Sequence, residues 1–176
     1  MIESRYWKKE LLDYAKSLKN QKEIKRWSEK SQVIFEKDLI INFFIIRKLI
    51  ETKRISDSLR QKKYKIKAYP KNSIKLTELN SFEFDELYKL EKFEIKEKNI
   101  NFICNQLIHS LTIFAFRENK KWNNVIMCSD FEKNKWIYKI DLKTIIEILT
   151  DFGNNYPENI TLIYNESKQD YDMKIE

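Results

Sequence analysis

Glycine occurs only once in this chain of 176 residues, at position 153. The phosphate-binding loops of dinucleotide-binding and P-loop enzymes need several glycines, because the backbone must approach the phosphate closely. The sequence therefore excludes nucleotide-driven enzymes of both kinds.

Histidine and cysteine are also scarce, with His109, Cys104 and Cys128 as the only examples. A structural zinc site takes four Cys or His ligands, and a metalloprotease helix needs two histidines, so neither kind of site fits this chain. Both cysteines lie in apolar runs, which is typical of reduced, buried thiols and not of a disulfide framework. We expect no metal and no cofactor.

Long apolar runs are missing too. The longest, Leu39 to Ile46, is interrupted by Asn42 and flanked by charged residues, and it is shorter than the roughly 20 residues that span a bilayer. The first residues carry charge where a signal peptide would have its apolar centre. We therefore expect a soluble cytoplasmic protein with no membrane partner.

Acidic residues are too few to balance the basic ones. The chain has 34 Lys and Arg against 27 Asp and Glu, a net charge of +7. Residues 1–80 sum to +11 and residues 81–176 to −4, so the basic character belongs to the first half. Lysine outnumbers arginine 28 to 6, which is typical of an AT-rich bacterial or phage genome, and composition bias accounts for part of this charge.

The length and the apolar fraction of 42% predict one α+β domain spanning residues 1–176. We expect residues 1–60 to be mainly helical around one long buried helix that ends near Ile55. Residues 61–110 are predicted to mix strand and helix, and residues 111–164 to form an antiparallel sheet of three or four strands with a packed helix. Residues 165–176 are predicted to be a frayed polar tail.

Individual elements follow from periodicity. Alternation predicts an edge strand from Lys63 to Tyr69, with Ser73 to Leu76 as a partner strand, and helical spacing predicts helices at 82–90 and 96–108. Three apolar runs predict a meander at 111–116, 125–128 and 136–140, and a further strand is predicted at 160–164. The last helix is expected to begin after Asp141, with Gly153 just beyond its end as the C′ residue.

A basic strip lies between Ser58 and Thr77, where there are seven basic residues and no acid. In an extended strand its alternate lysines stand about 6.6 to 6.8 Å apart, close to the phosphate repeat of an extended nucleic acid. Such a row binds the RNA or DNA backbone without reading bases. Lysines also protect edge strands from aggregation, which is the structural alternative. The predicted contact residues are Arg60, Lys62, Lys63, Tyr64, Lys65, Lys67, Lys71 and Lys75.

His109 lies where a predicted helix meets a predicted strand, a junction from which a side chain reaches a cleft. Imidazole gives and takes a proton near neutral pH, and Asn105, one turn earlier, and Ser110 are placed to assist it. The second hypothesis is therefore a metal-free enzyme resembling an RNase, of the toxin or defence type, that uses these three residues. The structural alternative is that His109 caps the end of the helix.

Trp122 is predicted to lie in the hairpin turn from Asn119 to Asn124. Exposed tryptophans are enriched at protein interfaces, so a non-enzymatic interaction module, an inhibitor or a homo-oligomer is the third hypothesis. The ring folding back on its own sheet is the structural alternative. Of the three functions, the sequence favours a cytoplasmic nucleic-acid-binding protein without strong sequence specificity, more a binding protein than an enzyme.

Overall fold

A computed structural model describes residues 3–21, 27–77, 79–118 and 121–176, and within these ranges the chain is an α+β protein with six helices and seven strands. The predicted class is confirmed. The helices are α1 Ser4–Gln21, α2 Glu29–Glu51, α3 Asp57–Gln61, α4 Phe84–Leu87, α5 Ile100–Ile108 and α6 Leu142–Asn154. The strands are β1 Lys63–Pro70, β2 Glu94–Asn99, β3 Ser110–Glu118, β4 Lys121–Ser129, β5 Trp136–Asp141, β6 Ile160–Asn165 and β7 Asp170–Ile175.

Five strands form one antiparallel sheet in the order β2-β1-β5-β4-β3. The predicted meander is present as β3, β4 and β5. Strand β1 is not the outermost strand of the sheet, which corrects the predicted edge position: Lys67 lies opposite Ile95 of β2 on one side and opposite Lys139 of β5 on the other. The first half of β1, residues 63–66, pairs only with β2. The sheet therefore includes two strands from the first hundred residues and is larger than the three or four strands expected.

The segment that pairs with β1 was expected to be helical from Lys96. Residues 94–99 instead form β2, and the helix begins only at Ile100, where the Asn99 side chain accepts a hydrogen bond from the Phe102 amide at 3.0 Å. The apolar stripe that predicted the helix belongs to residues 100–108 alone. The helix predicted from residue 96 to residue 108 therefore joins the end of β2 and the whole of α5, which meet at the Asn99 cap.

The helices α1, α2, α5 and α6 share one hydrophobic core with one face of the sheet, which we call the inner face. From β1 this core takes Tyr64, Ile66 and Ala68. A second, smaller core lies on the opposite, outer face, where Tyr69 and neighbouring strand residues pack against Leu87 and Tyr88 of the segment around α4. That segment covers only one end of the outer face.

The long helix α2 is buried along one side and exposed along the other. Its residues Phe43 and Ile46 are fully buried, whereas Val33, Ile41 and Phe44 are exposed. The expectation of a helix covered on several sides is therefore not confirmed. Within the described ranges, no helix has the length and apolarity needed to cross a membrane.

Gly153 does not end α6, so its predicted role as the C′ residue is wrong. It lies inside the helix and has no positive φ. Glycine fits here because α1 packs closely against α6 at this residue. A Cβ at this position would lie 2.7 Å from side-chain carbons of Leu12 and 3.1 Å from the Lys8 carbonyl oxygen. The buried Lys8 ammonium then closes the same junction by donating to the carbonyls of Arg54 and Asn155.

The C-terminal residues form a hairpin instead of a frayed tail. Strands β6 and β7 make a separate two-stranded antiparallel sheet, which extends the strand predicted at 160–164. Ile175 anchors the hairpin, since its side chain is buried and its amide donates to the Asp57 carboxylate at 3.0 Å.

Two further expectations in the middle of the chain are wrong. Residues 73–76 form no strand, and the helix predicted at 82–90 shrinks to α4, a single turn. Both segments belong to irregular chain on the outer face, and only some of their apolar residues, among them Leu76, Phe84 and Leu90, pack against the sheet.

The contact between α1 and α6 predicts the effect of Gly153→Ala. Alanine favours a helix over glycine by about 1 kcal/mol, but the added methyl overpacks the junction, which costs about 1–3 kcal/mol. We expect a net loss of stability in urea denaturation, and a smaller loss in a Leu12→Ala background, where the nearest side-chain atoms are removed. A stabilising Gly153→Ala in the native background would contradict the close approach.

Candidate functional site

Three lysines of the basic strip form a row on the outer face of the sheet. Lys63 and Lys65 are exposed and Lys67 is partly exposed, while the residues between them are buried on the inner face. Among the described residues, no carboxylate lies within 4 Å of any of these three ammonium groups. We call Lys63, Lys65 and Lys67 the lysine row.

Two other basic residues of the strip point away from the lysine row and are held by acids. Arg60 pairs with Asp57 at 3.1 Å, and Lys62 contacts Glu147 at 2.8 Å and Asp151 at 2.7 Å on α6. Hydrogen bonds to these two acids raise the pKa of Lys62. Arg60 and Lys62 therefore serve the fold and are already partnered.

The remaining members of the strip are also separated from the row. Tyr64 is buried in the core, which raises its pKa to about 12, so its ring is not available for stacking on a base. Lys71 follows β1, donates to the Ile74 carbonyl and stands over the Tyr88 ring at 5.6 Å. Lys75 is exposed in the same loop. The structure thus brings together three of the eight predicted contact residues.

Two exposed aromatic rings share the outer face with the lysine row, one beside Lys67 and one across the sheet on β3. Phe93 is 49% exposed, and the Lys67 ammonium lies 4.7 Å from the centre of its ring. Phe116 is 41% exposed and, with Tyr69 and Lys139, lines a shallow cavity of about 170 Å³ on the outer face. Neither phenylalanine was predicted, because the sequence does not show that both reach the face that carries the lysines.

His109 is the residue directly after α5, and both its backbone amide and its backbone carbonyl make hydrogen bonds. Its amide donates to the Asn105 carbonyl at 3.2 Å, and its carbonyl accepts from the Asp130 amide at 3.2 Å. The side chain is exposed and, together with the Asn105 side chain, lines a cleft of about 340 Å³ that we call the His109 cleft. Ser110 begins β3 opposite Ser129 and does not line this cleft.

Two charged residues that the sequence did not suggest complete the His109 cleft. Arg47 of α2 donates to the Asn105 side-chain oxygen at 3.1 Å and to Glu51 at 3.0 Å. Glu132, from the turn between β4 and β5, accepts a hydrogen bond at 2.7 Å from the hydroxyl of the buried Tyr138. Burial raises the pKa of Tyr138, so its hydroxyl keeps the proton that it donates.

The wall and rim of the His109 cleft carry two further features. The Ser129 hydroxyl is buried and has no hydrogen-bond partner among the described residues, although the Ser129 amide donates to the Gln106 side chain at 3.0 Å. Phe131 is 81% exposed at the rim. Such a ring can stack on an unpaired base.

Trp122 lies in a strand and not in a turn, because β4 begins at Lys121. The ring is partly buried, with its centre 4.5 Å from that of Trp27. Large exposed apolar side chains occur instead on the hairpin of β6 and β7. They are Ile160, Leu162, Ile163, Tyr164, Tyr171 and Met173.

Among the described residues, no three His, Cys, Asp or Glu side chains are grouped closely enough to hold a metal ion. Comparison of the chain with protein-family models, with curated proteins and with solved structures finds no match. The lysine row and the His109 cleft are therefore the features of the molecule that indicate a function.

The two cysteines are free and buried, which excludes them as nucleophiles. Burial raises the pKa of Cys128 to about 11 and raises that of Cys104 as well. Because the thiolate is the reactive form, we expect neither cysteine of the native protein to react with a disulfide reagent such as Ellman's at pH 8. Both should react in denaturant, and one rapidly labelled thiol in the native protein would contradict the buried placement.

Proposed function

We propose that this chain is a cytoplasmic protein that binds single-stranded nucleic acid on the open part of the outer face of its five-stranded sheet. The lysine row carries the proposal. Successive outward side chains of a strand stand about 6.6 to 6.8 Å apart, and a nucleic-acid backbone in extended form places its phosphates at a similar repeat. A row of cations that pair with no carboxylate among the described residues fits a chain of phosphates better than it fits a compact anion.

The aromatic rings support a single strand over a duplex. Unpaired bases stack on exposed aromatic side chains regardless of base identity, and each stack contributes about 1–3 kcal/mol. Phe93 and Phe116 stand on the same face as the lysine row, with exposed fractions of 49% and 41%. Ammonium groups at the ring edges would meet phosphates while the rings meet bases, which gives affinity without strong sequence specificity.

The local charge also favours an anionic partner, with one exception. Glu97 of β2 lies opposite Lys65 on the outer face and is exposed, so it offsets one positive charge. The neighbouring lysines of β2, Lys96 and Lys98, stand on the inner side over Trp136 and Phe102. The proposed binding surface therefore begins at the lysine row on β1 and crosses the sheet toward Phe116 on β3.

The decisive variant replaces the lysine row by Lys63→Gln, Lys65→Gln and Lys67→Gln. Each neutralised phosphate contact contributes about 0.7 to the salt slope for a single strand, so the variant should lose about 2 from the slope of log K against log salt. Fluorescence anisotropy with a labelled oligonucleotide, from about 50 to 200 mM salt, measures this slope. Wild-type protein that does not bind, or an unchanged slope in the variant, would refute the proposal.

A matched control keeps the charge change and moves it elsewhere. Lys16, Lys19 and Lys30 are exposed on α1 and α2, so Lys16→Gln, Lys19→Gln and Lys30→Gln removes three charges far from the outer face. We expect its salt slope to stay close to that of the wild type. Glu97→Gln should tighten binding, because it removes the acid that faces Lys65.

The aromatic contribution is tested by Phe93→Ala and Phe116→Ala. Each change should weaken binding of a single-stranded oligonucleotide by about 5- to 100-fold, the equivalent of about 1–3 kcal/mol of stacking, and leave the salt slope unchanged. Phe82→Ala is the control, since Phe82 is 61% exposed but lies outside both core clusters. Equal affinity for duplex and single strand would contradict the stacking role.

A further inference from the structure

We propose that the His109 cleft is a second functional site, which cleaves RNA phosphodiester bonds without a metal ion. A cation, an imidazole and a carboxylate line one cleft of about 340 Å³, contributed by Arg47, His109 and Glu132. They come from α2, the end of α5 and the turn between β4 and β5. This combination is what phosphoryl transfer needs when no metal supplies the charge.

Arg47 is the group that binds the phosphate. Its Nε donates to Glu51 and one terminal nitrogen donates to Asn105, so the guanidinium is held from two sides before any substrate arrives. Its side chain is 38% exposed and lines the cleft. Arginine presents a planar fork of donors that matches two phosphate oxygens.

His109 and Glu132 are the proton-transfer groups. The imidazole is exposed at the cleft, and within the described ranges it makes no side-chain hydrogen bond that would engage either ring nitrogen. The Glu132 carboxylate is oriented by the Tyr138 hydroxyl at 2.7 Å, and its other oxygen remains available. Two groups of different chemistry on one cleft can act as base and acid in the same reaction.

An exposed aromatic ring beside the same cleft supports a nucleotide ligand. At the rim, the 81% exposed ring of Phe131 is placed to stack on a base.

The reaction balances without water, a metal or an oxidant. Glu132 removes the proton of the ribose 2′-hydroxyl, and the 2′-oxygen attacks the adjacent phosphorus. The bond from phosphorus to the 5′-oxygen breaks, and protonated His109 gives its proton to that oxygen. The products are a 2′,3′-cyclic phosphate and a free 5′-hydroxyl, while Arg47 stabilises the charge on the non-bridging oxygens.

The substrate class follows from this chemistry. The nucleophile is the 2′-hydroxyl, so RNA is cleaved and DNA is not. The cleft belongs to the helix side of the sheet, whereas the lysine row lies on the outer face. A dinucleotide can occupy the cleft without touching the row, and the two proposals can therefore fail separately.

The test is cleavage of the dinucleotide UpA in the presence of EDTA, followed by chromatography of the products. We expect uridine 2′,3′-cyclic phosphate and adenosine from UpA and no cleavage of its 2′-deoxy analogue. His109→Ala and Glu132→Gln should each lower kcat/KM by about 100-fold or more, and Arg47→Ala by a similar factor. Asp130→Asn is the matched control, because Asp130 lies in the same turn, pairs with Lys133 and does not line the cleft.

A second measurement detects binding apart from turnover. His109 is the only histidine, so its ring protons give one assigned pair of NMR signals. Uridine 3′-phosphate should shift these signals in the wild-type protein and not in Arg47→Ala. Absence of UpA cleavage by the wild type, or cleavage undiminished in His109→Ala, overturns the proposal.

Discussion

Strand β1 buries Tyr64, Ile66 and Ala68 against the helices, and this burial dictates where its lysines go. Side chains alternate along a strand, so a shift of the register by one residue would move three apolar groups to solvent and carry Lys63, Lys65 and Lys67 into a dry core. Leaving an ammonium group buried without a partner costs several kcal/mol. The alternation of apolar and basic residues along β1 therefore produces both the buried core side chains and the lysine row.

Pairing with β2 along residues 63–68, and with β5 along residues 67–70, gives the row a rigid base. An edge strand with alternating lysines has a sufficient structural explanation, since charge protects it from pairing with another chain. Strand β2 pairs with β1 along the whole lysine row, whereas β5 pairs with it only from Lys67 to Pro70. Protection of a strand edge can therefore account for Lys63 and Lys65, but it does not account for Lys67. The segment around α4 packs on the outer face at Tyr69 and leaves Lys63 and Lys65 exposed.

Much of the fold could be predicted because it depends on local periodicity. Strand β1, the meander and the start of α6 all follow from patterns within 10 to 15 residues. The errors concern distant contacts. Gly153 looks like a helix terminator because its neighbour in space, Leu12, is 141 residues away, and β2 looks helical because nothing local shows that Lys67 lies opposite Ile95. The hairpin at the end of the chain likewise depends on the contact of Ile175 with Asp57.

The same limit applies to the His109 cleft. The helix-to-strand junction in the sequence indicates His109 and Asn105. Arg47, however, precedes Asn105 by 58 residues, and Glu132 lies in the turn between β4 and β5. The fold joins them through the packing of α2 on α5, which places the guanidinium against the Asn105 amide oxygen. A cation fixed by the fold before substrate binds costs no reorganisation when charge develops on a phosphate. In the proposed reaction Asn105 positions Arg47 and does not touch the reacting atoms, a role that its sequence position beside His109 did not suggest.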